Sequence, residues 1–118
     1  MVIVDTSVWI SFFKGDKKAI HLKEIILENS ILLHAYVYGE LLLGGLSSES
    51  STLLKSLRFI SPLDYEILYE CIMQYKLSSS GIGWVDTSII ASAISMKCSI
   101  FTYDEKLETI SKELQIHY

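Results

Sequence analysis

The tetrapeptide Val-Asp-Thr-Ser occurs twice in this chain, at 4–7 and at 85–88, and each copy sets a carboxylate directly before two hydroxyls. Of the five aspartates, Asp5, Asp86 and Asp104 lie beside Ser or Thr, the last following Thr102. Glu40 stands alone in AYVYGELLLGGL, with no Lys or Arg within ten residues to pair with it. An ionised carboxylate left unpaired in apolar surroundings costs several kcal/mol, so Glu40 calls for a compensating cation. If the four acids converge, their repulsion drives protons on near neutral pH unless a divalent cation keeps them charged. Oxygen ligands without Cys or His select hard ions, Mg²⁺ or Mn²⁺. Such a centre activates water and stabilises the leaving oxygen in phosphodiester hydrolysis.

Each acid taken alone has a plainer explanation. Asp is a favoured helix N-cap, and a carboxylate in a first helical turn gains about 0.3–1 kcal/mol from the helix dipole. Asp86 and Asp104 both stand at helix starts, so the cap and ligand roles stay open for them. Asp16 fits a loop, and Asp64 pairs with Ser61 at capping-box spacing. The histidines, His21, His34 and His117, show no ligand spacing and read as structural or exposed. Cys71 and Cys98 are isolated and lack CxxC spacing, which indicates neither a disulfide framework nor a thiolate zinc site and reads as buried reduced thiols.

The elements that must position these acids alternate. VIV is a β-branched strand that ends at Asp5, and VWISFF turns into a short helix. Apolar residues at helical spacing predict a helix over 17–29, SILLH a strand, and 35–46 a buried helix ending near Gly44–Gly45. A serine-rich stretch precedes a short helix TLLKSL and a strand around Phe59–Ile60. SPLD opens a long helix with Pro62 in its first turn. After the loop SSSGIG come a small-residue helix over 86–96, the strand CSIFT, a helix over 104–113 and a last short strand QIHY. Strands alternating with helices make an α/β fold with a parallel sheet covered on both faces. In such sheets the C-terminal strand ends and the following helix N-termini share one edge, where ligands bind. The first VDTS ends a strand and the second starts a helix, so they are no internal repeat but can be two walls of one site.

The 118 residues suit one domain, 1–118. Half of them are apolar, yet no uncharged run approaches the roughly 20 residues of a membrane span, and the start does not read as a signal peptide. A cytoplasmic protein is expected. The net charge of −4 and the single arginine, Arg58, argue against a protein that coats nucleic acid by bulk electrostatics.

Three stretches, VIVDTSVWISFF, the Glu40 helix with LLLG, and GIGWVDTSIIASAISMKCSIFTYDEKL, resemble a PIN domain, and more narrowly the compact VapC-type toxin nucleases. The resemblance runs in order over essentially the whole chain. It implies a three-layer α/β/α sandwich around a parallel sheet and a Mg²⁺- or Mn²⁺-dependent endoribonuclease. Asp5, Glu40, Asp86 and Asp104 match the catalytic, metal-holding acids, with Thr6 and Thr102 at the supporting hydroxyl positions. Cleavage would leave a 5′-phosphate and a 3′-hydroxyl. Lys14, Lys17 and Lys18, soon after the first strand, are the expected phosphate contacts. Trp9, Phe12 and Phe13 either stack bases or pack a helix onto the sheet. Partners implied are RNA, a cognate antitoxin and a second copy of the chain in a homodimer.

Other classes fit less well. A haloacid-dehalogenase-type phosphatase needs an Asp where Ser7 stands, and a receiver domain needs an early acid pair that is missing. The alternative from another class is a catalytically silent PIN-like module that binds metal or a regulatory protein partner.

Overall fold

The computed structural model describes residues 1–28 and 30–118. Four strands form one parallel sheet: β1 (Val2–Val4), β2 (Ile31–His34), β3 (Arg58–Ile60) and β4 (Ser99–Phe101), in the order β3-β2-β1-β4. Val2 pairs with Ile31 on one side and Ser99 on the other, and His34 pairs with Ile60. β1 and β2 are buried at every position. That is what a parallel strand covered on both faces requires, and it is why these strands read as unbroken apolar runs. Seven α-helices flank the sheet among the described residues, giving the expected α/β/α sandwich: α1 (Thr6–Phe13), α2 (Leu22–Leu27), α3 (Ala35–Gly44), α4 (Ser48–Lys55), α5 (Tyr65–Gln74), α6 (Trp84–Met96) and α7 (Glu105–Glu113). None of the described helices is long and apolar enough to cross a membrane.

α6 is the innermost helix, buried without a break from Thr87 to Ala93. Its small Ser and Ala side chains let it lie close against its neighbours, and a helix apolar or small on every side has no solvent face to offer. Trp9 is wholly buried, its ring 5.6 Å from Phe13 in a stacked pair. The α1 aromatic at the centre of that cluster is therefore core.

Several expected elements shift. The helix predicted over 17–29 is a 3-10 turn, Lys17–Ala19, followed by the short α2, and its end at Asn29 lies outside the described residues. Pro62 lies before α5 rather than in its first turn, and Asp64 itself is the N-cap, without a side-chain capping bond. The Ser61–Asp64 capping box does not form. The serine-rich stretch is helical, because Ser47 caps α4 by accepting the Ser50 amide at 3.1 Å. QIHY makes only an isolated bridge, Ile100 to His117. α3 is not a buried helix: it gives the core Val37 and Leu41, while Leu42 and Leu43 face solvent.

α6 ends at Lys97 in the left-handed region, φ 54° and ψ 46°. That conformation costs an L-residue about 1–2 kcal/mol, against about 0.5–1 kcal/mol of extra chain entropy that glycine loses on folding. Lys97→Gly is expected to stabilise the protein by up to about 1 kcal/mol. A higher urea midpoint at unchanged slope would meet that expectation; a lower one would refute it.

Candidate active site

The C-terminal ends of β1 and β4 and the N-termini of α3, α6 and α7 bring the four acids to one edge of the sheet. Asp5 follows β1 and caps α1; its amide donates to Phe101 O at 2.9 Å, tying it to the end of β4. Its carboxylate is buried, and both bonds it accepts go to one oxygen, Oδ2, from Ser7 Oγ and Thr102 Oγ1, each at 2.8 Å. Thr102 Oγ1 in turn accepts the Asp104 amide at 3.0 Å, and Ser7 Oγ accepts the Tyr103 amide at 3.0 Å. Two hydroxyls thus clamp the segment after β4 onto the segment after β1.

Asp104 caps α7, with Oδ1 accepting the Leu107 amide at 2.9 Å. Glu40, on the second turn of α3, accepts from Thr6 Oγ1 at 2.8 Å through Oε1. Glu40 is exposed, which corrects the premise that it is an unpaired acid in apolar surroundings. Leu42 and Leu43 turn outward beside it, while Leu41 enters the core. Thr6 Oγ1 thus meets Glu40, and Thr102 Oγ1 joins the Asp5 carboxylate to the Asp104 amide. Ser7 was missed as a site residue. Its signal is its place two residues after Asp5, close enough to reach back to that carboxylate.

Asp86 lies in the first turn of α6 and is half-buried. Burial, then the charges of Asp5 and Asp104, and last that of Glu40 push its carboxyl up to about 6, partly offset by the Gly83 amide. The four acids therefore share one electrostatic site. None of them makes an ion pair among the described residues. No three of His, Cys, Asp or Glu there close to a ready-made metal shell. The donor set nonetheless fits a hard cation, because one oxygen each of Asp5, Glu40 and Asp104 accepts no protein hydrogen bond among the described residues.

The two VDTS copies do different work. In the second, Thr87 Oγ1 donates to Gly83 O at 2.9 Å and Ser88 Oγ meets His34 Nε2 at 3.0 Å. His34 Nδ1 accepts the Tyr36 amide at 3.0 Å, so the ring carries its proton on Nε2 and donates to Ser88. Burial holds its pKa down to about 4. This neutral ring joins the start of α3, which bears Glu40, to α6, which bears Asp86.

The three lysines scatter. Lys14 lines a cavity of about 290 Å³ with Glu40, Ile10, Phe13 and Leu41. Lys18 lies over the Tyr103 ring, 4.6 Å from its centroid, and Lys17 lines a separate hollow beside Phe12 and Lys23. Only Lys14 adjoins one of the acids in a shared cavity.

The PIN domain family model matches residues 2–113. The crystal structure of PAE2754 from Pyrobaculum aerophilum is similar, with a TM-score of 0.69 at 15% identity, over 94% of this chain and 79% of that one. At that identity the likeness speaks for the fold alone. No curated protein matches the chain.

Burial and the crowding of charge together have a measurable sign at Asp86. The folded pKa of Asp86, about 6, lies above its ordinary 3.8, so its contribution to stability is full below pH 3.8 and is lost as pH rises through 6. In EDTA, Asp86→Asn is expected to match the wild type near the lower limit and to exceed it in urea midpoint at pH 7. Added Mg²⁺ should reverse that order, since a cation stabilises only the charged set. An Asp86→Asn chain less stable than wild type at pH 7 in EDTA would refute the crowding.

Proposed function

The chain belongs to the PIN domain family, a family of nucleases, and on that footing we propose that it is a divalent-metal-dependent endoribonuclease and the toxin of a type II toxin–antitoxin pair. The observation that carries the nuclease reading is the convergence of Asp5, Glu40, Asp86 and Asp104 at one sheet edge with no cationic partner of their own. We read residues 1–118 as a single nuclease domain acting in the cytoplasm. Asp5, Glu40 and Asp86 are assigned as ligands of Mg²⁺ or Mn²⁺, with Asp104 completing the set or orienting water.

When bound, the cation supplies the positive charge that offsets the four carboxylates and polarises the scissile phosphate. The chain's own groups do the rest. Ser7 and Thr102 both donate to Asp5 Oδ2, which orients that carboxylate and leaves Oδ1 without a protein donor among the described residues. Thr6 donates to Glu40 Oε1 in the same way. Asp86, whose carboxyl is pushed up to about 6 by burial and by the neighbouring acids, is the acid whose ionisation depends most on a bound cation. No histidine is needed: His34 is buried, neutral and occupied at both nitrogens.

The antitoxin proposal has its own surface. The cavity that Glu40 shares with Ile10, Phe13, Leu41 and Leu46 is largely apolar, and Leu42 and Leu43 stand exposed on the same helix. An apolar segment seated there would cover the acid edge. Exposed Ile20 and Leu27, near and on α2, support a homodimer.

Purified protein is expected to cut 5′-labelled total RNA in Mg²⁺ or Mn²⁺ and to leave it intact in EDTA. Asp86→Asn should lose at least about a hundredfold, and Thr102→Val, one bond further from the cation, about ten- to a hundredfold. Folded wild type and Asp86→Asn that both spare RNA at every metal concentration would overturn the nuclease and favour a silent PIN-like module. Light scattering after size exclusion should give twice 13.4 kDa at micromolar concentration, and a strict monomer would remove the dimer.

A further inference from the structure

Three exposed aromatic rings line up at the carboxylate edge, and nothing above uses them. Tyr65 and Tyr69, one turn apart on α5, have ring centroids 5.5 Å apart, and Tyr69 lies 5.9 Å from Trp84 at the start of α6. They are 60%, 54% and 44% exposed. α5 begins after β3 ends, and the Tyr69–Trp84 contact sets its first half against the N-terminus of α6, so the rings sit where the strands terminate. Trp84 and Asp86 share the first turn of α6, their side chains about 200° apart around it, so both stand at the same helix end.

On the other side of the loop before α6 lies a cation. The Lys106 side chain runs against Gly81, where an added Cβ would come within 3.0 Å of Nζ, and Gly81 has φ 86°. The positive φ favours glycine there, whereas the flexible lysine end could shift to make room for a Cβ. Lys106 has no ion pair among the described residues. It stands two residues after Asp104, on the helix that Asp104 caps, and lies beside the loop that leads into α6 and Asp86.

The chain carries a net −4 and one arginine, so it lacks the cationic groove that holds nucleic acid by charge alone. Rings with exposed faces and one well-placed cation are the other means by which proteins hold a single strand, base by base. Glu66 and Glu70 lie about 100° around α5 from the tyrosine line, so phosphates are excluded from that flank and bases are not. Resting on the nuclease reading above, we propose that Trp84, Tyr69 and Tyr65 stack successive unpaired bases of the RNA entering the acid site, with Lys106 on a phosphate. The substrate is then single-stranded where it meets α5 and α6.

The test is fluorescence anisotropy of a labelled single-stranded oligouridylate against wild-type protein in EDTA, where no cutting competes. Trp84→Ala and Tyr69→Ala are each expected to weaken binding about five- to a hundredfold, while Trp84→Phe keeps most of it. Lys106→Gln should flatten the slope of log K against log salt by about 0.7, the share of one phosphate contact on a single strand. The same oligonucleotide annealed to its complement should bind more weakly and respond to none of the ring variants. Wild-type affinity in folded Trp84→Ala and Tyr69→Ala overturns the platform, and if wild type still cuts RNA the nuclease reading stands without it. Ring variants that change the mass by light scattering but not RNA affinity make the strip a protein face and overturn it too. Binding that depends on the rings, in a protein that cuts nothing, keeps the platform and removes the nuclease.

Discussion

Like charge at close range is the constraint to which the rest of this structure answers. Four carboxylates share one sheet edge, and the cost of keeping them ionised falls most heavily on half-buried Asp86. The protein does not relieve that cost with lysine or arginine. At Asp86 the Gly83 amide offsets part of it, and at Asp5 and Glu40 hydroxyls donate to one carboxylate oxygen so that the other is left without a protein donor. A guanidinium would neutralise the acids and occupy both oxygens, leaving nothing to bind a hard cation.

The hydroxyls are also structural. Ser7 and Thr102 each serve two segments, accepting a backbone amide after β4 while donating to Asp5 after β1. The same bonds that set the charge of the site therefore close the seam between the two strands that form it. His34 performs the corresponding service across the sheet, neutral because it is buried and useful because it is neutral: one nitrogen accepts from α3 and the other donates to α6. A protonated ring would have no acceptor for the Tyr36 amide.

On the nuclease reading proposed above, a chain of net −4 must hold an anionic polymer by something other than bulk charge. The first halves of α5 and α6 meet through Tyr69 and Trp84, and Tyr65 extends that line of rings. The basic residues expected to do that work, Lys14, Lys17 and Lys18, diverge after the turn at Gly15, and one of them is spent on the Tyr103 ring.

The alternation of β-branched strands and helices, and the acids beside hydroxyls at Asp5, Asp86 and Asp104, were legible in the residue order. Burial on both faces writes itself as unbroken apolar runs, and a strand end followed by an acid needs no partner to be recognised. Local signals also misled where packing overrides them. The capping-box spacing of Ser61 and Asp64 does not form, and AYVYGELLLG reads as core although Leu42 and Leu43 face water. Which hydroxyl serves which acid was not readable, because Thr102 and Asp5 stand ninety-seven positions apart and meet only through the pairing of β1 with β4. The sequence by itself determined which side chains are available and at which element ends they stand. The tertiary structure alone decided that they share one electrostatic site, because interactions of a few ångströms depend on strand order, and strand order is a property of the whole sheet.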